Sequence, residues 1–94
     1  MKVRFYVDTA TSEPYIQSHG VREEEVEEVL GSPAEDRLGK DGSRVCIGRT
    51  STGRYLRVIY VPDARPRTVF VITAYDLKGK ALKAYRRRQR RRRQ

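Results

Sequence analysis

Tryptophan is absent from this 94-residue chain, and cysteine, histidine and methionine occur once each. A single cysteine, Cys46, forms no internal disulfide and supplies no thiolate pair for a metal. One histidine and one cysteine do not make a ligand set, so no metal site is expected. No phosphate-binding glycine loop and no Ser-His-Asp arrangement is present, so no small-molecule cofactor is expected. Apolar runs long enough to span a bilayer are also missing, which excludes a membrane partner of the helical kind. The opening residues, MKVRFYVDTA, lack the apolar core of a signal peptide, so the expected location is cytoplasmic. Aromatic packing rests on six tyrosines and two phenylalanines.

What the chain has in excess is positive charge, and it is unevenly spread. The net charge is +9. Residues 1–43 hold 5 Lys/Arg against 10 Asp/Glu, whereas residues 44–94 hold 16 against 2. A basic half this strong points to a polyanionic partner, RNA first among them. With 37% apolar and 35% charged residues, the composition is still globular, because the apolar residues are clustered. The length suits one domain.

Residues 2–7 are rich in Val, Phe and Tyr and suit a short first strand. Thr11 or Ser12 then caps a short helix with Pro14 in its first turn, ended by Gly20. The spacing predicts a second helix over 21–30, with Glu23, Glu24 and Glu25 at the positive end of its dipole and Val26, Val29 and Leu30 on one stripe. Beyond Gly31 and Pro33 the period becomes that of strands: a weak one at 35–38, then 44–50, 55–61 and 68–74. The last of these, TVFVITA, reads as central and apolar on both faces. Asp76 sits where an N-cap belongs, and Leu77, Ala81, Ala84 and Tyr85 share a face of a basic helix over 77–89. The expected fold is α+β: two N-terminal helices, a three- to four-stranded antiparallel sheet and a C-terminal basic helix. One domain over 1–88 and a disordered arginine-rich tail over 89–94 complete the expectation.

The arginine-rich end is the strongest chemical signal. Arg86, Arg87, Arg88, Arg90, Arg91, Arg92 and Arg93 each suit bidentate contact with phosphate. Arg44, Arg49, Arg54 and Arg57 form a second basic group on two strands joined by a tight turn. They lie near Tyr55, Tyr60 and Tyr75, whose rings suit base stacking, and Tyr85 joins them from the helix. His19 has two readings. It caps the negative end of a helix dipole, or it moves protons near neutral pH. Cys46 reads as a buried, inert thiol.

Three segments carry a resemblance: HGVREEEVEEVL (19–30), IGRTSTGRYLRVIYVP (47–62) and VFVITAYDLKGKALKAYRRR (69–88). Together they resemble the BrnT-like family of small toxins from bacterial toxin–antitoxin pairs, including its relatives of undefined function. The motifs are a His-Gly-Val helix start, an IG-x-T-x-x-GR hairpin, and an ITA strand running into a basic helix with a tyrosine. The resemblance implies a RelE-like α+β fold, metal-independent cleavage of messenger RNA, and neutralisation by a DNA-binding antitoxin. It makes His19 the acid/base candidate and Arg49 and Arg54 the phosphate-facing candidates, in a site with Arg57 and Tyr75. The family usually continues the ITA strand with an arginine. Tyr75 stands there instead, able to donate a hydrogen bond or stack on a base but carrying no fixed charge. Two expectations follow: a ribonuclease toxin, and a module of the same fold that holds RNA or a partner protein without cutting.

Overall fold

Alternation along one strand divides the molecule into layers. In the run 55–62, Leu56, Val58 and Tyr60 are buried toward one side, and Tyr55, Arg57, Ile59 and Val61 point to the other. The computed structural model describes residues 1–92. Its elements are β1 (Lys2–Phe5), a short hairpin of β2 (Val7–Asp8) and β3 (Glu13–Pro14), a 3-10 turn (Tyr15–His19), α1 (Glu23–Gly31), β4 (Glu35–Leu38), a second 3-10 turn (Lys40–Gly42), β5 (Arg44–Arg49), β6 (Tyr55–Pro62), β7 (Thr68–Asp76) and α2 (Gly79–Arg92). Five strands form one sheet in the order β1-β7-β6-β5-β4, and β2 pairs only with β3. β1 runs parallel to β7, and the other neighbours are antiparallel.

This architecture is α+β, but it corrects the expected arrangement, RelE-like with two helices ahead of a three- to four-stranded antiparallel sheet. The segment expected as a first helix is a hairpin followed by five residues of 3-10 turn. Local chemistry explains the difference. The Asp8 carboxylate accepts the Ala10 N–H at 2.9 Å, Ser12 takes a left-handed φ of 60°, and Pro14 biases Glu13 toward extended backbone. Gly20, at φ 68°, then stops the turn after His19. The sheet is mixed because β1 lies beside the last strand rather than the next one.

Since β1 and β4 occupy opposite edges, the chain must cross the sheet between them, and α1 makes that crossing. It packs Val26 and Val29 onto Cys46, Leu56, Val58, Tyr60, Val71 and Ala74, with Ile16 and Val21 completing the layer. The approach to β5 is close: a Cβ at Gly48 would stand 3.1 Å from Val29 Cγ1. α2 covers part of the other face through Leu82 and Tyr85, which with Leu77 just ahead of the helix pack on Val45, Ile47, Tyr55 and Ile59. Ala81, expected on that stripe, is exposed, and Leu82 takes its place. α2 also starts later than expected, because Asp76 belongs to the end of β7 and its carboxylate is engaged by Arg54. Residues 89–92, expected to open the disordered tail, form the last turn of α2. Among the described residues, no helix is long and apolar enough to cross a membrane.

Leu56 is fully buried between α1 and the sheet. Leu56→Ala should therefore cost ~2–5 kcal/mol of folding stability, read as a lowered urea midpoint at an unchanged slope. An unmoved midpoint would mean that this layer does not hold α1.

Candidate nucleic-acid interface

The basic residues singled out by the sequence fall into three environments, separated by what each guanidinium meets. Arg54 is the most constrained. It enters β6 from a turn in which Thr50 Oγ1 accepts its backbone N–H at 3.0 Å. Its Nε and Nη2 donate to the two oxygens of Asp76, at 2.6 and 3.2 Å. Its Nη1 donates to Glu25 Oε1 and to the Gly20 carbonyl, both at 2.9 Å. Two carboxylates thus surround one cation and leave it no open fork for a phosphate. Hydrogen bonding from Arg54 holds the Asp76 carboxyl below its ordinary value. For Glu25, burial pulls upward but is outweighed by the Arg22 N–H and by Arg54, so that carboxyl is also depressed.

Arg49 is placed differently. Its guanidinium lies 5.5 Å from the Tyr55 ring centroid, and that of Arg86 from α2 lies 5.4 Å from the same centroid. Tyr85 meets Tyr55 edge-on at 5.8 Å. Gly53, at φ 91°, gives Arg49 its room, since a Cβ there would stand 3.1 Å from Nη2. With Gln89 and Arg90 these residues line a notch of about 280 Å³. Among the described residues, neither Arg49 nor Arg86 forms an ion pair with a carboxylate. Two uncompensated cations on one ring make a ready seat for an anion.

The third environment lies at the open end of β7. β1 reaches only as far as Val71, and beyond it the 3-10 turn flanks the strand. There the His19 ring sits 6.0 Å from Tyr75 and 5.5 Å from Tyr15, and Tyr15 is 6.0 Å from Tyr6. Tyr15, Ser18, His19, Thr73, Tyr75, Asp76 and Lys78 line an open cleft of about 640 Å³. Arg57 stands opposite Tyr75 in the register of β6 and β7, on the face that α2 leaves partly uncovered. Among the described residues, Arg57 Nε and Thr73 Oγ1 are buried without a hydrogen-bond partner.

The expected catalytic group is therefore divided. His19 and Tyr75 meet at one cleft, Arg57 neighbours them on the sheet, Arg49 lies in the notch, and Arg54 is occupied elsewhere. The expected RNA-binding residues divide too. Arg44 is paired with Asp36 at 3.0 Å, and Asp36 also accepts the Tyr60 hydroxyl at 2.7 Å. Arg88 docks α2 onto β4 through both oxygens of Glu35, at 2.8 and 2.9 Å. Arg92 donates to the Ala34 carbonyl at 3.0 Å, yet its side of the helix stays exposed. Arg86, Arg87, Arg90 and Arg91 face solvent, Tyr85 is buried, and Arg93 lies outside the described residues. The Cys46 thiol is pushed up to about 12 by burial and carries no thiolate at neutral pH. Among the described residues, no group of three or more His, Cys, Asp or Glu could hold a metal ion.

Sequence reasoning passed over Glu25, Tyr6, Tyr15, Thr73 and Lys78. Glu25 had the look of a dipole residue, and only its spacing on the Val26 and Val29 side of α1 hinted at burial. Tyr6 and Tyr15 carried no signal until the hairpin brought them together.

Carboxyls whose folded-state values are depressed contribute stability that is complete above the ordinary range, about 3.9–4.3, and lost as pH falls through the folded value. Thermal unfolding should show Tm falling most steeply below about pH 4, and Asp76→Asn should flatten that fall. A Tm that holds level from pH 5 to pH 2 would mean that Arg54, Asp76 and Glu25 do not stabilise the fold through their charges. Compared with family models, curated proteins and solved structures, the chain finds no match.

Proposed function

We propose that this chain is an RNA-binding protein whose notch seats backbone phosphate. The observation that carries the reading is the pair Arg49 and Arg86, stacked on one tyrosine with no carboxylate between them. Exposed Arg87, Arg90 and Arg91 continue the positive surface along α2. Each phosphate they neutralise releases counterions, which makes affinity steep in salt. RNA is favoured over DNA by the resemblance to BrnT-like proteins, which also supports a cognate antitoxin as a second partner and a cytoplasmic site of action.

Anisotropy of a labelled 12-nucleotide RNA, titrated across KCl concentrations, tests it. Arg49→Gln with Arg86→Gln should weaken binding and reduce the slope of log K against log salt by about 1.4, or ~0.7 for each phosphate no longer neutralised. An unchanged slope would take the notch out of the interface, and absence of binding at low salt would end the RNA reading.

A second reading, a metal-independent endoribonuclease of the toxin type, is favoured by the neighbouring rings of His19 and Tyr75, 6.0 Å apart, with Arg57 opposite Tyr75 on the next strand. His19 would move the proton of the attacking 2′-hydroxyl, and Arg57 would meet charge on the phosphorane. In a single-turnover assay with EDTA, His19→Ala should then cleave end-labelled RNA at least tenfold more slowly than the parent. RNA recovered intact from the parent leaves binding alone.

A further inference from the structure

We infer that the cleft between Tyr15, His19 and Tyr75 is a nucleobase pocket that selects unpaired RNA, an inference that rests on the RNA-binding reading. Not every tyrosine of the basic half is available for stacking. Tyr55 is covered by two guanidinium groups and the edge of Tyr85, and Tyr60 is buried with its hydroxyl on Asp36. Stacking therefore falls to the rings at the end of β7.

Those rings are arranged to leave their faces open. Tyr6 and Tyr15 meet at 69°, Tyr15 and His19 at 89°, and His19 and Tyr75 at 59°. An edge-on pair covers one face of one ring and leaves the remaining faces free, so a base can lie against an outer face without displacing a neighbour. At about 640 Å³ the cleft falls within the range of small-ligand sites.

The polar groups fit the same ligand. Thr73 lines the cleft, and its Oγ1, just beneath that surface, has no hydrogen-bond partner among the described residues. A hydroxyl both donates and accepts, so it can meet either kind of group on a base edge. Lys78 lines the cleft and is exposed, where it can meet the adjoining phosphate. A duplex presents its bases edge-on in grooves and stacked on one another, so it cannot offer a ring to this cleft. The notch reads phosphate in either form, and the cleft adds discrimination for single strands.

His19 supplies its own probe, because it is the only histidine. Its ring proton resonances, followed by NMR on the full chain, should move upfield as a 12-nucleotide unpaired RNA is added. They should stay in place when the same RNA is annealed to its complement. In parallel anisotropy titrations, the single strand should bind at least fivefold more tightly than the duplex. Tyr75→Leu should remove that preference by lowering single-strand affinity at least fivefold. Thr73→Val, nearly isosteric, should weaken the single strand alone. His19 resonances unmoved by saturating single strand, or equal affinity for both forms, would overturn the pocket while leaving phosphate binding at the notch intact. A parent that binds neither form would overturn both readings together.

Discussion

The grip of Asp76 and Glu25 on Arg54 is the interaction on which the rest of the arrangement depends. One guanidinium joins the start of β6, the end of β7, the start of α1 and the Gly20 carbonyl. They come from three separate stretches of the chain, Gly20 with Glu25, Arg54, and Asp76, and each is near where an element begins or ends. With them tied, the 3-10 turn is held against the open end of β7, and His19 is held near Tyr75. The cation is desolvated by its surroundings but not stranded, since two carboxylates and a carbonyl meet its donors. An arginine that the hairpin motif offers as a phosphate contact is in this way committed to architecture.

The sheet then sorts the remaining side chains by face. Toward α1 it presents an apolar layer from which Cys46 and Tyr60 cannot reach solvent. Toward α2 it presents a mixed surface, partly covered by a helix that carries one buried tyrosine and many arginines. The ion pair of Arg88 with Glu35 docks that helix at its far end and takes one arginine out of reach of a ligand in doing so. What stays open is the notch at Tyr55 and, with no lining residue in common, the cleft at His19.

Much of the strand pattern was legible in the sequence: alternation at 55–61 reports directly which side chains are inside, whereas Val45 to Gly48 are buried on both faces of their strand. The basic character of the surface along α2 was legible as well, from the charge contrast between the two halves. Two things were not. The hairpin at 7–14 depends on the Asp8 side chain and a left-handed Ser12, neither of which has a periodic signature, so Pro14 and Gly20 read as helix punctuation. The division of the arginines depends on partners such as Glu25, Asp36 and Glu35 that are adjacent only after folding. Residue type alone does not distinguish an arginine held by carboxylates from one left open to a ligand.

The parallel pairing of β1 with β7 has a kinetic consequence. β4 to β7 form a meander in which each strand meets its neighbour across a short loop, so their pairings close early and at little entropic cost. Lys2, by contrast, waits for Thr68. Until β1 finds its place, β7 presents an unpaired apolar edge. Docking of β1 closes the longest loop of the sheet.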